Sequence, residues 1–142
     1  MREILFRGKR IDNGEWAYGN LNYGTIEIKS IKDSYYISDF DVNPWDKKFY
    51  PVIPETIGQS TGMTDKNDKK IFDGDILKEY GSMPEHSLMV IRNVGFGCFI
   101  EFYFHGEKHS TEQVGHIGWL SYDEVIGNIY DNPELLEVTN WD

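Results

Sequence analysis

The sequence has a single cysteine, Cys98, among its 142 residues, so no disulfide can form within the chain. Long hydrophobic runs are also missing: no window approaches the roughly 18 apolar residues of a membrane-spanning helix. The apolar run near the start is too short for a secretory signal. We therefore expect a soluble protein of a reducing cytoplasm that makes no membrane contact.

Basic residues are scarce relative to acidic ones, with 14 Lys and Arg against 24 Asp and Glu and a net charge of -10. The excess is concentrated in residues 61–142, which carry 6 basic and 15 acidic groups, whereas residues 1–60 carry 8 and 9. Such a surface repels phosphate backbones, and non-specific nucleic-acid binding depends on Lys and Arg displacing counterions. We therefore expect no direct nucleic-acid binding.

Aromatic residues (15%) and glycine (14 residues) are abundant, which favours strands and turns over long helices. Asn13-Gly14 is a hairpin dipeptide, and further breaks are predicted at Tyr23-Gly24 and Lys32-Asp33. Alternating segments bounded by turn residues predict strands at 2–7, 16–23, 25–31, 34–40, 70–72, 76–80, 88–93, 98–105 and 125–130.

Two further features complete the predicted fold. The segment 98–105 is the most apolar and is predicted to be the most buried strand. "DNPELLEV" predicts one short helix near the end, because Asn132 can cap it and Pro133 is tolerated at the first helical position.

The predicted domain organisation is a single chain with three parts. Residues 1–42 form an N-terminal β part, and residues 43–57 form a connection in which Pro44, Pro51 and Pro54 are confined to sheet edges or loops. Residues 58–142 form the C-terminal β part.

The stretch "TGMTDKNDKKIFDGDIL" resembles a calcium-binding loop at first sight. An EF-hand loop that begins at Asp65 would need an oxygen ligand, Gly and Glu at its fifth, sixth and twelfth positions, where Lys69, Lys70 and Ile76 stand. Turns explain the stretch better, since residues 66–69 and 73–75 are turn formers. We predict two tight turns, with a positive φ at Gly74, and no metal site.

Histidine and cysteine offer an enzyme alternative. "HGEKH" (105–109) lacks Glu directly after its first His, and a deaminase needs cysteines that the chain does not have. We interpret it as a polar loop, Cys98 as a small core residue, and 95–97 as a turn that enters a strand. An enzyme would need a cleft that brings together several members of a set of polar side chains: Asp75, Cys98, Glu101, His105, His109 and His116.

Among the aromatic residues that crowd the first fifty positions, eight form a set larger than a small β unit buries easily. Either the second half of the chain covers them or another subunit does. They are Trp16, Tyr18, Tyr23, Tyr35, Tyr36, Trp45, Phe49 and Tyr50.

Three segments together resemble the YopX family of phage and prophage proteins. The first is an Arg-Glu-Ile-x-Phe-Arg start at residues 2–7. The second is the 61–77 stretch, in which Thr61, Gly62, Asp65, Asn67, Gly74, Asp75 and Ile76 hold the family pattern. The third is "VIGNIYDNPELL" at 125–136. Ser60, Met63 and Asp68 depart from the pattern, and Asp68 stands where a turn Gly is usual.

The resemblance implies a mainly β fold with a barrel-like C-terminal part, a homo-oligomer, and a gene carried by bacteriophages of Gram-positive bacteria. It carries over no catalytic, cofactor-binding or metal-binding residue. We therefore expect a non-enzymatic phage accessory protein in the cytoplasm of an infected cell. It would act through self-assembly and contacts with a host or phage protein. The alternatives are an enzyme with its site in a β-barrel cleft and an acidic DNA mimic that inhibits a host protein.

Overall fold

The computed structural model describes residues 5–26, 31–39, 47–78, 87–94, 97–104, 106–114 and 120–137. The chain divides into two compact units, Met1–Gln59 and Ser60–Asp142, which are described separately. Both are built of antiparallel strands, as the sequence predicts. The helical segments in the described ranges are two 3-10 turns, Pro54–Thr56 and Pro133–Glu137. No helix in these ranges is long and apolar enough to cross a membrane.

The first unit is an antiparallel sheet in the order β4-β3-β2-β1-β5. Its strands are β1 (Phe6–Lys9), β2 (Trp16–Ile26), β3 (Ile31–Ser38), β4 (Phe49–Pro51) and the first two residues of β5 (Gly58–Thr64). The predicted Asn13-Gly14 turn joins β1 to β2. Gly14 has a φ of 73°, and its N–H donates to the Arg10 carbonyl oxygen over 3.0 Å.

The core of the first unit is formed by Ala17, Ile37 and Val52. β1 approaches this core closely at Gly8, where a Cβ would lie 2.9 Å from Cβ of Val52. Pro51 lies in β4, the strand at the edge of this sheet, where its missing N–H costs no ladder bond. The proline-containing segment 43–57 thus includes an edge strand in its described part.

The second unit contains the remainder of β5, β6 (Lys70–Phe72), β7 (Asp75–Lys78), β8 (Ser87–Val94), β9 (Gly97–Phe104), β10 (Glu107–Gln113) and β11 (Glu124–Asn128). The last five form an open antiparallel sheet in the order β10-β9-β8-β7-β11. The expected barrel-like closure is therefore wrong, because β10 and β11 remain two separate edges.

Apolar side chains cover both faces of this sheet. One cluster joins Leu77, Met89, Ile91 and Ile100 to residues outside the sheet, and a second contains Ile76, Leu88 and Val90. The residues outside the sheet in the first cluster are Met63, Ile71 and Leu120. Because β7 and β8 are buried on both faces, they hold the remaining elements of this unit in place.

Burial within this sheet differs from the prediction. β9 has a single fully buried residue, Ile100, whereas the run 88–91 in β8 is buried at every position. The reason is position: β9 lies one strand from the edge, and its neighbour β10 is exposed at all seven residues. The predicted alternation in β9 is nevertheless correct, since Cys98, Ile100 and Phe102 pack on one cluster and Tyr103 on the other.

Several local predictions were also wrong. Residues 107–109, expected in a loop, lie in β10, and β5 was not predicted. The expected breaks at 23–24 and 32–33 lie inside β2 and β3, where Asp33 nevertheless has a φ of 29°. The predicted short C-terminal helix, by contrast, is present as a five-residue 3-10 turn that begins at Pro133. Residues 95 and 96 lie outside the described residues.

Candidate functional site

The acidic stretch at 61–77 turns the chain through a buried carboxylate, that of Asp65. β5 and β6 form a hairpin around the predicted turn at 66–69, with Thr64 opposite Lys70. Oδ1 of Asp65 accepts the backbone N–H groups of Asn67 (2.8 Å) and Lys69 (2.9 Å). Asp68 stands where the family places Gly and has a φ of 61°, a left-handed conformation that Asp tolerates better than most residues.

The other carboxylate oxygen of Asp65 reaches a strand 60 residues further along the chain. Oδ2 accepts the N–H of Val125 in β11 over 2.9 Å. Burial alone would raise the pKa of Asp65, but the N–H groups of Val125, Lys69 and Asn67 together lower that pKa below its ordinary value. Both oxygens of this side chain are thus used to join the β5–β6 turn to β11.

Two contacts of Lys66 reinforce the same junction. The Lys66 N–H donates to the carbonyl oxygen of Asp123 over 2.9 Å. Its ammonium Nζ lies 3.5 Å from Oε2 of Glu124, in a solvent-accessible ion pair that contributes little stability by itself. The backbone contacts therefore carry most of the attachment.

The second turn of the stretch is centred on Gly74, which has a φ of 90° as predicted. Its N–H donates to the carbonyl oxygen of Ile91 (2.7 Å), and its carbonyl oxygen accepts the N–H of Ile129 (2.9 Å). A Cβ at this position would lie 3.0 Å from Cε2 of Tyr130. Glycine is therefore required both by the backbone conformation and by the approach of the segment after β11.

Carboxylates flank Gly74 on both sides, and each accepts a backbone N–H group. Oδ1 of Asp73 accepts the N–H of Asn93 (2.8 Å), with Nε of Arg92 at 3.6 Å. Oδ2 of Asp75 accepts the N–H of Phe72 (2.8 Å), which closes the turn on itself. Both side chains are buried, so these bonds offset part of the desolvation that burial of a charge costs.

Asparagine side chains fix the segment that follows β11. Oδ1 of Asn128 accepts the N–H groups of Tyr130 (3.0 Å) and Asp131 (2.9 Å). Oδ1 of Asn132 accepts the N–H of Asn128 over 3.2 Å. Asn132 stands at the predicted cap position, since its backbone carbonyl oxygen accepts the N–H of Leu135, but its side chain bonds back to β11 and does not cap the 3-10 turn.

Of the polar residues that an enzyme would need, the four in the described ranges are not brought together. Asp75 is buried at the first position of β7, and Cys98 faces one apolar cluster. Glu101 lies on the opposite face of β9 and its Oε2 is 2.7 Å from Nζ of Lys108. His109 is exposed on β10, with its ring 5.7 Å from that of Phe104.

His105 and His116 lie outside the described residues. Within the described ranges, no group of three or more His, Cys, Asp or Glu side chains is placed to hold a metal ion.

The aromatic residues of the first unit separate into covered and exposed groups. Arg7 lies 4.6 Å from the Trp16 ring centroid, and Arg10 lies 4.5 Å from that of Tyr50. Tyr36 and Phe49 pack edge to face at 5.6 Å. These four aromatic rings are half-buried by contacts within the unit, and Trp45 lies outside the described residues.

Three tyrosines of this unit remain exposed. Tyr23 (63% exposed) and Tyr35 (40%) are directly opposite each other on β2 and β3, with ring centroids 4.7 Å apart. Tyr18 (50%) projects from the other face of β2, because it is an odd number of residues from Tyr23. The Tyr23–Tyr35 pair lies on the face that carries the buried Ile37, so the apolar surface of the unit extends outward there.

Comparison with known proteins identifies the family. The family model described as "YopX protein" matches residues 5–137, nearly the whole chain. The chain belongs to the YopX family. It is similar to protein EF1440 from Enterococcus faecalis, known from a crystal structure, at 24% identity, with 96% of this chain and all of that chain covered and a TM-score of 0.49. No curated protein matches it.

In this YopX chain, the two longer segments that carry the resemblance form one structural junction. The stretch at 61–77 supplies Asp65 and Gly74, and the stretch at 125–136 supplies their backbone partners Val125 and Ile129. Sequence analysis predicted turn roles for the first stretch but missed these long-range partners. The spacing between the two stretches matches no helix or strand period and does not indicate a contact. Their occurrence together in one family pattern is the signal that could have indicated these partners.

Proposed function

We propose that this YopX-family protein is a bacteriophage accessory protein that acts through protein–protein contacts rather than by catalysis. The observation that carries the proposal is that the carboxylates of the 61–77 stretch bond to the backbone. Asp65, Asp73 and Asp75 accept backbone N–H groups and hold turns and strands in place. Their side chains therefore serve the fold. The phage setting rests on the family resemblance.

The Tyr23–Tyr35 pair is the part of the first unit best suited to such contacts. Tyrosine is enriched at the centres of interfaces because it buries a large apolar ring and keeps a polar hydroxyl. The net charge of the half of the chain that contains the pair favours the same conclusion, since residues 1–60 carry a net charge of -1 and residues 61–142 carry -9. Copies of the chain would repel each other least through this half.

The size of the pair limits what it can do alone. Covering the exposed parts of two tyrosine side chains removes on the order of 200 Å² from water. A stable interface buries about 800 Å² on each partner. We therefore infer that the pair forms the centre of a larger contact, with a second copy of the chain or with a host or phage protein.

Light scattering on the purified protein at tens of micromolar tests the self-assembly part. We expect a homo-oligomer whose dissociation constant rises by at least tenfold in the double variant Tyr23→Ser, Tyr35→Ser. The matched control is Tyr122→Ser, which removes a 78% exposed tyrosine from the other unit. A monomeric wild type, or equal weakening by the control, would contradict self-assembly through the pair.

A second candidate function is mimicry of DNA, favoured by the charge of the last quarter of the chain. Residues 109–142 contain seven acidic residues and no Lys or Arg. Within that segment, however, Asp123 is buried and Glu124 is paired with Lys66, so the charge is only partly presented to solvent. Binding by mimicry would weaken steeply between low and physiological salt, whereas burial of aromatic side chains would persist.

A further inference from the structure

We draw no further inference here: the strongest candidate, the exposed seven-residue edge strand β10 (Glu107–Gln113), carries charged side chains and a bulge between Lys108 and Ser110 that oppose pairing with another strand, and nothing in the described residues shows what would cover it.

Discussion

Replacing Asp65 should loosen the junction between the β5–β6 turn and β11. Alanine removes the acceptor of three backbone N–H groups, those of Asn67, Lys69 and Val125. Asparagine retains one acceptor oxygen and places an NH₂ group where the other oxygen was. It can therefore satisfy either the turn or Val125, but not both.

The magnitude follows from the surroundings of the three N–H groups. A hydrogen bond to a charged group contributes about 1.5–3 kcal/mol. Asn67 and Lys69 are exposed, so water compensates for part of the loss there, whereas Val125 is half-buried. We expect Asp65→Ala to lower the free energy of unfolding by about 3 kcal/mol and Asp65→Asn by about 1.5 kcal/mol.

Urea denaturation of each variant, followed by circular dichroism, measures these changes, and amide hydrogen exchange at Val125 locates them. The matched control is Asp68→Asn, which removes the same charge from the same turn at an exposed residue. Asn also tolerates the left-handed conformation of Asp68. We expect the control to change stability by less than about 0.5 kcal/mol. Equal effects at positions 65 and 68 would refute the structural role of Asp65.

The pH dependence gives a second test of the same bond set. The pKa of Asp65 is lower in the folded chain than its ordinary value, so its carboxylate adds stability above the unfolded pKa. That contribution is lost as the pH falls below about 4 and through the folded pKa. The stability difference between wild type and Asp65→Asn should therefore shrink on acidification below pH 4. A difference that stays constant down to pH 2 would contradict the linkage.

Two further predictions concern the same stretch. Gly74→Val should lower the free energy of unfolding by about 1–3 kcal/mol, because a β-branched residue is strained at positive φ. Asp75→Asn should lower the free energy of unfolding by less. An unchanged denaturation midpoint for Gly74→Val would show that the turn is misinterpreted. Calorimetric titration should detect no calcium or zinc binding in the low micromolar range, because both oxygens of Asp65 accept N–H groups; tight binding that acidic variants of the loop abolish would contradict this.

Local pattern was sufficient for much of the fold. Alternation and turn residues predicted β6 at 70–72, the β1–β2 hairpin and the positive φ of Gly74, because each is decided within a few residues. β10 shows the limit of this reasoning. Its sequence, EKHSTEQ, contains no apolar residue, and it is a strand because β9 offers a free edge with which to pair.

The candidate site was harder to predict for the same reason. The bond between Asp65 and Val125 joins residues 60 positions apart, and no spacing in the sequence indicates it. The sequence pattern also did not predict which aromatic residues are exposed. Tyr35 and Tyr36 are neighbours with the same side chain, yet Tyr35 is exposed and Tyr36 is half-buried against Phe49, a contact that depends on the pairing of β3 with β4.

The most direct test of the proposal that this protein works through an aromatic contact surface is affinity capture from infected cells across a salt series. Three baits are compared. The first is the wild type, and the second, the tyrosine variant, combines Tyr23→Ser with Tyr35→Ser. The third, the charge variant, combines Glu134→Gln with Glu137→Gln and so removes two exposed C-terminal charges. We predict a partner that the wild type and the charge variant retain at high salt and that the tyrosine variant loses. The contrary result is recovery of only basic nucleic-acid-binding proteins. These proteins would be lost as salt rises and lost in the charge variant, whereas the tyrosine variant would keep them. That result would contradict the account.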